Sequence, residues 1–232
     1  DHDDTLHPEA LEAIAAVVAP DVDYVYTDSD LLDEHGRHSE PFFKPGWSPD
    51  RFRCQMYSNH LGVVRRQVAL DVGGFRDGFE GAQDYDLIFR VTEQGGRVCH
   101  VPRVLYHWRI TEASLNASPD AKPYAWLASH RAIASHLERT GFEATVDEDM
   151  VIPGVFRLRP ALRERPPVSI IIPTAAGRRD IAGEEVLLAE RCLTSIVERS
   201  TYDNYELVLV VDDHVATADV DRLRSAGGDA VR

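Results

Sequence analysis

The chain has 232 residues, with 25 basic against 39 acidic side chains, a formal net charge of −14 and 44% hydrophobic residues. Such an acidic balance excludes a sequence-independent nucleic-acid binder, which needs a net basic face. No apolar run approaches the roughly 18 residues needed to cross a bilayer. Three cysteines, Cys54, Cys99 and Cys192, are odd in number and widely spaced. They fit neither a disulfide framework nor a zinc knuckle and point to a reducing compartment. The length allows one large domain or two small ones. The chain starts at Asp1 inside an acidic cluster, without a methionine, and stops just after a hydrophobic strand, so it reads as a fragment for which no leader can be assessed.

Taken in order, Pro8 to Val18 has apolar residues at helical spacing behind a proline suited to a first turn. Asp23 to Thr27 has the β-branched and aromatic content of a strand, closed by Asp28-Ser29-Asp30. Leu31 to Asp50 reads mostly as loop. A strand over Leu61 to Arg65 and a short helix over Arg66 to Val72 stop at Gly73-Gly74. Tyr85 to Gln94 predicts an amphipathic helix, and Val98 to Val101 a strand before Tyr106-His107-Trp108-Arg109. Pro123 to Thr140 is the clearest helix, with Trp126, Ile133 and Leu137 on one face and Gly141 as its stop. Thr145 to Pro167 reads as a linker with room for a short strand. Val168 to Ile172, Glu184 to Glu198 and Glu206 to Val211 then give strand, helix, strand, a βαβ unit of a buried parallel sheet.

Four constellations could carry chemistry. Asp1-His2-Asp3-Asp4 has carboxylates spaced to chelate a hard divalent cation, which would in turn hold substrate phosphates; a solvated acidic terminus is the competing reading. Asp84, behind Gly73-Gly74 and Gly81, sits near a helix start, where the macrodipole favours its charge; it could equally be an N-cap. His107 lies between aromatics and beside Arg109, as a metal ligand next to a diphosphate clamp or as an ordinary packed histidine. Asp212-Asp213-His214 ends an apolar strand, where parallel sheets bind ligands. A response-regulator receiver also opens on such a stretch, but a receiver begins with that strand, whereas here a strand and a helix precede it.

In order along the chain, DHDDTLHPEAL, YTDSDLLDEHGR, FFKPGWSPD, GGFRDGFEGAQDYDLIFRV and VPRVLYHWR resemble a family 2 glycosyltransferase of the GT-A fold, of the bacterial kind that builds O-antigen and other surface polysaccharides. The resemblance implies an α/β, Rossmann-like architecture, with the metal- and acceptor-binding half of a first domain in residues 1–145. Residues 146–167 would be a linker. VSIIIPTAAGR and CLTSIVERSTYDNYELVLVVDD resemble the nucleotide-binding start of a second copy, residues 168–232. It further implies Asp84 as catalytic base, Asp1, Asp3 and His107 as ligands of Mn²⁺ or Mg²⁺, and Arg109, Asp213, Pro173 and Thr174 at the donor diphosphate or nucleoside. Trp47, Gly74, Gln83 and Tyr85 fall at acceptor positions, and Trp47, Tyr85 and Trp108 are candidate stacking platforms for sugar.

Two departures stand out. Gln83 occupies a position where such enzymes often have Glu, which leaves the base role to Asp84 alone, and TAAGRRD replaces the asparagine usual after the first strand of a copy. The implied partners are a nucleoside-diphosphate sugar and a glycan or lipid-linked glycan acceptor, with no nucleic acid. The implied location is the cytoplasm, with peripheral association at the cytoplasmic face of the inner membrane through other regions. The implied reaction is inverting transfer with release of nucleoside diphosphate. Residues 1–232 alone are expected to be nearly inactive, because each copy lacks half of its site. A metal-dependent nucleotide-sugar phosphohydrolase and a non-catalytic carbohydrate-binding module are the alternatives.

Overall fold

The computed structural model describes residues 2–110 and 123–232. They form a mixed α/β structure in two units, Asp1–Ala161 and Leu162–Arg232. No described helix is long and apolar enough to cross a membrane.

The first unit is built on five strands, β1 (Thr5–Leu6), β2 (Val22–Leu32), β3 (His38–Phe42), β4 (Gly62–Val64) and β5 (Arg97–Arg109). The order is β1-β5-β2-β3, with β4 also paired to β2. β2 and β5 run parallel and the other pairs antiparallel. Helix α1 (Ala10–Ala15) covers one side, packing Ala10 and Ile14 with Val22, Val25, Val101 and Leu105. The other side takes α2 (Pro49–Cys54), α4 (Gln83–Thr92) and α5 (Pro123–Thr140) around Tyr24, Tyr26, Phe52, Tyr57 and Phe89. A short α3 (Arg66–Asp71) precedes α4. Seven consecutive residues of α4, Tyr85 to Val91, are buried, so its one-sided reading understates how far it is enclosed. α5 matches its expected span, with Gly141 stopping it at φ +63°.

Several expectations are corrected. β2 does not close at Asp28 but continues to Leu32, because its buried carboxylates are satisfied in place. Asp28 accepts from the Lys44 backbone N–H at 2.9 Å and lies 2.7 Å from His100 Nε2, while Asp30 meets His38 and His107. The stretch expected to be loop contains β3, drawn into the sheet by pairing with β2. β5 likewise runs through Tyr106-His107-Trp108-Arg109 rather than ending at Val101. Most of the expected linker is an antiparallel pair, β6 (Ala144–Ile152) and β7 (Val155–Pro160), with Phe156 in the core of the first unit.

In the second unit, β8 (Val168–Thr174) and β11 (Tyr205–Val211) pair in parallel, with α6 (Leu188–Arg199) between them in sequence and α7 (Thr217–Gly227) following. Glu184 to Leu187 is not the start of α6 but the strand β10, paired with β9 (Arg178–Ile181). Ile170, Ile172, Leu207 and Leu209 face the helices. On the opposite face Ile171 is 65% and Val210 52% exposed, so this sheet is covered on one side only, contrary to the expectation of a doubly buried one.

Candidate functional site

A cavity of about 400 Å³ lies in the first unit. β2 lines it with Ser29, Asp30 and Leu31, β3 with Glu40 and Phe42, β5 with Tyr106 and Trp108, the connection before β4 with Met56, Asn59 and His60, and α4 with Asp84. This size lies in the range of small-molecule sites.

Asp84 is the second residue of α4. The N-cap is Ala82, which has no capping side chain, so Asp84 is not the cap. Its Oδ1 accepts the Tyr85 backbone N–H at 2.8 Å, and Asn59 Nδ2 donates to Oδ2. Asp84 is therefore a carboxylate held by two donors on a cavity wall, the placement a general base needs.

Trp108 is 48% exposed and presents an aromatic face to the same cavity. His60 stacks on Tyr106 at 5.0 Å between centroids and stands edge-on to Trp108 at 6.2 Å. Burial pushes the His60 imidazole below its usual pKa, against the pull of the Asp84 charge, so it is neutral at pH 7. Tyr106 donates its hydroxyl to Asp4, whose other oxygen accepts the Arg109 backbone N–H at 2.9 Å. Burial, and then this hydrogen bond, push the Tyr106 phenol well above its usual pKa.

Beneath His60 the chain is pinned by Lys44, only 6% exposed, whose Nζ donates to the carbonyls of Thr27 at 2.6 Å and His60 at 2.5 Å. Burial lowers the Lys44 pKa to about 7, against the attraction of Asp28. Between about pH 7 and 10.5 the unfolded chain therefore holds more of this proton than the folded one, and stability rises with pH across that window. Wild type should accordingly gain on Lys44→Met as pH climbs from 7 to 10, by at most about 1.4 kcal/mol per pH unit. Urea unfolding of both proteins at several pH values measures this; a constant gap would remove Lys44 as a buried titrating group.

The other expected site residues divide clearly. Side chains alternate along a strand, so His107 points to the opposite face of β5 from Tyr106 and Trp108. Its Nδ1 is 2.6 Å from Asp30 Oδ1, and His38 Nδ1 is 2.9 Å from Asp30 Oδ2. Arg109 Nε donates to the Asp3 carbonyl at 2.8 Å, so the acidic start of the chain and Arg109 do meet. Asp1 lies outside the described residues. Tyr85 is 1% exposed and donates its hydroxyl to the Phe52 carbonyl; it is core rather than a sugar platform. Trp47 packs on Phe52 at 4.9 Å and does not line this cavity. The Gly74 carbonyl accepts from Arg90 at 2.6 Å, and Gln83 Oε1 accepts the Gly81 N–H at 2.8 Å, so both are engaged within the fold. In the second unit Pro173, Thr174 and Asp212 line a groove of about 410 Å³ at the carboxyl ends of β8 and β11, while Asp213 beside it is exposed.

Asn59, His60, Asp30, His38 and Lys44 were not singled out by the sequence. Asp30 lay in the quoted YTDSD and Lys44 in FFKPGWSPD, but neither spacing nor residue type distinguished them from solvated charges.

No family model matches the chain. It is 40% identical over 223 residues to an uncharacterized protein, y4gI, of Sinorhizobium fredii, an alignment covering 94% of this chain and 24% of that protein. It is 38% identical over 210 residues to the O-antigen biosynthesis protein RfbC of Myxococcus xanthus, covering 90% of this chain and 16% of that protein. The chain thus spans a quarter or less of these relatives.

Proposed function

We propose that this chain is part of an inverting glycosyltransferase of the GT-A kind, which moves a sugar from a nucleoside-diphosphate donor to a glycan or lipid-linked glycan hydroxyl in surface-polysaccharide synthesis. The observation that carries the reading is Asp84, a carboxylate held by two donors in a cavity that it shares with the half-exposed ring of Trp108. Similarity to a protein named for O-antigen biosynthesis supports the substrate class.

In this reading the acceptor sugar lies on Trp108 with its hydroxyl against Asp84. As that oxygen attacks the anomeric carbon, Asp84 takes its proton, the bond from the anomeric carbon to the phosphate oxygen breaks, and the nucleoside diphosphate leaves with the electron pair. His60, neutral and wedged between Tyr106 and Trp108, shapes the acceptor side of the cavity. The groove at Pro173, Thr174 and Asp212, with Asp213 beside it, would take a nucleoside in a second copy of the fold.

The Mn²⁺ or Mg²⁺ expected on Asp1, Asp3 and His107 does not find its three ligands together among the described residues, since Asp1 lies outside them and His107 turns to Asp30 and His38.

The test is a panel of nucleotide sugars with and without glycan acceptors, using the longest natural polypeptide that contains this chain. Release of nucleoside diphosphate should depend on acceptor. Release of phosphate without acceptor would favour a phosphohydrolase; glycan binding without turnover, unchanged by Asp84→Asn, would favour a binding module.

A further inference from the structure

We propose that Asp30, His38 and His107 form a binding site for a single divalent transition-metal ion of the Zn²⁺ or Co²⁺ type. One ligand atom from each lies within 4.8 Å of the other two. The three residues come from three adjacent strands: Asp30 is directly opposite His107 across the parallel β2/β5 pair, and His38 is opposite Leu32 on β3. Their spacing is thus fixed by backbone hydrogen bonds rather than by a loop.

Both imidazoles turn the same atom, Nδ1, toward the two oxygens of one carboxylate, at 2.6 and 2.9 Å, and the rings stand at 78° to each other with centroids 4.5 Å apart. A metal bonded to two imidazole nitrogens and a carboxylate oxygen needs them about 3.3 Å apart, given bond lengths of about 2.0–2.1 Å in tetrahedral geometry. Opening these two contacts by about half an ångström meets that requirement. The Asp30 and His107 side chains are 10% and 11% exposed, whereas that of His38 is 51% exposed. Two ligands are therefore held rigidly, and the third stands at the surface, where an ion can enter and a water can complete the shell. Two imidazoles with one carboxylate suit Zn²⁺, Co²⁺ or Ni²⁺ far better than Mg²⁺ or Ca²⁺, which take all-oxygen shells. The chain's net charge of −14 adds a general attraction for cations.

This set shares His107 with the Asp1, Asp3 and His107 set expected from the sequence, but it uses different partners, and one neutral imidazole binds one ion. The inference does not rest on glycosyl transfer, because it is read from metal binding with neither donor nor acceptor present. The experiment is titration of the intact chain with Co²⁺, followed by visible absorption, with displacement by Zn²⁺ and parallel calorimetry. One equivalent should bind, and Zn²⁺ should displace it. His38→Ala should weaken binding at least tenfold, Asp30→Asn by a similar or larger factor, and Asp3→Asn should leave it unchanged. His38 is half-exposed, so its variant tests the site even if Asp30→Asn does not fold. No binding by the wild-type chain would overturn the proposal. So would affinity unchanged in His38→Ala, or binding lost in Asp3→Asn but kept in His38→Ala, which would assign the ion to the acidic start of the chain.

Discussion

Asp84→Asn should lower acceptor-dependent sugar transfer by about 10²–10⁴-fold, the usual contribution of a positioned general base, with the KM for donor changed less than twofold. The substitution keeps the side chain's size and an oxygen for the Tyr85 N–H, while the NH2 that replaces the second oxygen meets Asn59, whose own amide must turn to present its oxygen. What it removes is the capacity to take a proton. A split between kcat and the donor KM follows, because the lost interaction with the acceptor proton strengthens only in the transition state. The assay belongs in the longest natural polypeptide that contains this chain, since the matched segments are only 24% and 16% of the two relatives. Steady-state kinetics with the preferred donor and acceptor reads the effect, and a thermal melt of each protein controls for folding. Transfer within threefold of wild type would mean that another group accepts the proton. Trp108→Ala should behave differently, raising the acceptor KM several-fold while the donor KM is unchanged, because an aromatic platform contributes to binding before and during the reaction.

The elements legible in the sequence were those whose stability is local. Pro123 to Thr140 carries its own apolar stripe and its own glycine stop, and the parallel pair of β8 and β11 announces itself by two uninterrupted apolar runs. The elements that were misread depend on partners distant in sequence. Asp28 and Asp30 look like the polar end of a strand, yet β2 passes through them because His100, His107, His38 and the Lys44 backbone satisfy their carboxylates. Such a strand cannot be told from a turn without knowing those partners. The same holds for Phe156, whose burial against the first unit makes a strand pair out of a proline-rich, charged stretch.

At the candidate site, residue type and local context left Asp84 open between an N-cap and a functional carboxylate, the family resemblance singled it out and offered Trp108 as a candidate platform, and the fold brings the two side chains to one cavity. His60 was not legible, because its character comes from being wedged between Tyr106 and Trp108, 46 and 48 residues later in the chain. The alternation of β5 separates His107 from Trp108, a consequence of strand geometry that appears only once β5 is seen to continue through the tetrad.

Asp86→Asn should destabilise the first unit by about 3–5 kcal/mol, the cost of leaving one partner of a buried ion pair uncompensated. Asp86 is fully buried in α4 and accepts from two arginines: Arg76 through Nε at 3.0 Å and through Nη2, and Arg90 through Nε at 3.0 Å and Nη2 at 2.7 Å. The Arg76 side chain is 36% exposed and can turn to water when the carboxylate is lost. Arg90 cannot: its side chain is 7% exposed, and it is tied to the carbonyls of Val72 at 2.5 Å and Gly74 at 2.6 Å. Its charge would be left in the core with neutral acceptors only. Burial alone would raise the Asp86 pKa, but the hydrogen bonds from Arg76 and Arg90 outweigh it and hold the carboxyl below its usual range. A carboxylate with a depressed folded pKa contributes stability above its unfolded value of about 3.9, and that stability is lost as pH falls through the folded pKa. Wild type should therefore lose its advantage over Asp86→Asn on acidification below about pH 4. All three tryptophans, Trp47, Trp108 and Trp126, belong to the first unit, so their fluorescence reports its unfolding separately from the second. Urea titrations at pH 7 and at pH 3 to 4, followed by tryptophan emission, give both quantities. A loss under 1 kcal/mol at pH 7, or a gap that does not narrow in acid, would show that Arg90 reaches solvent more easily than its burial implies.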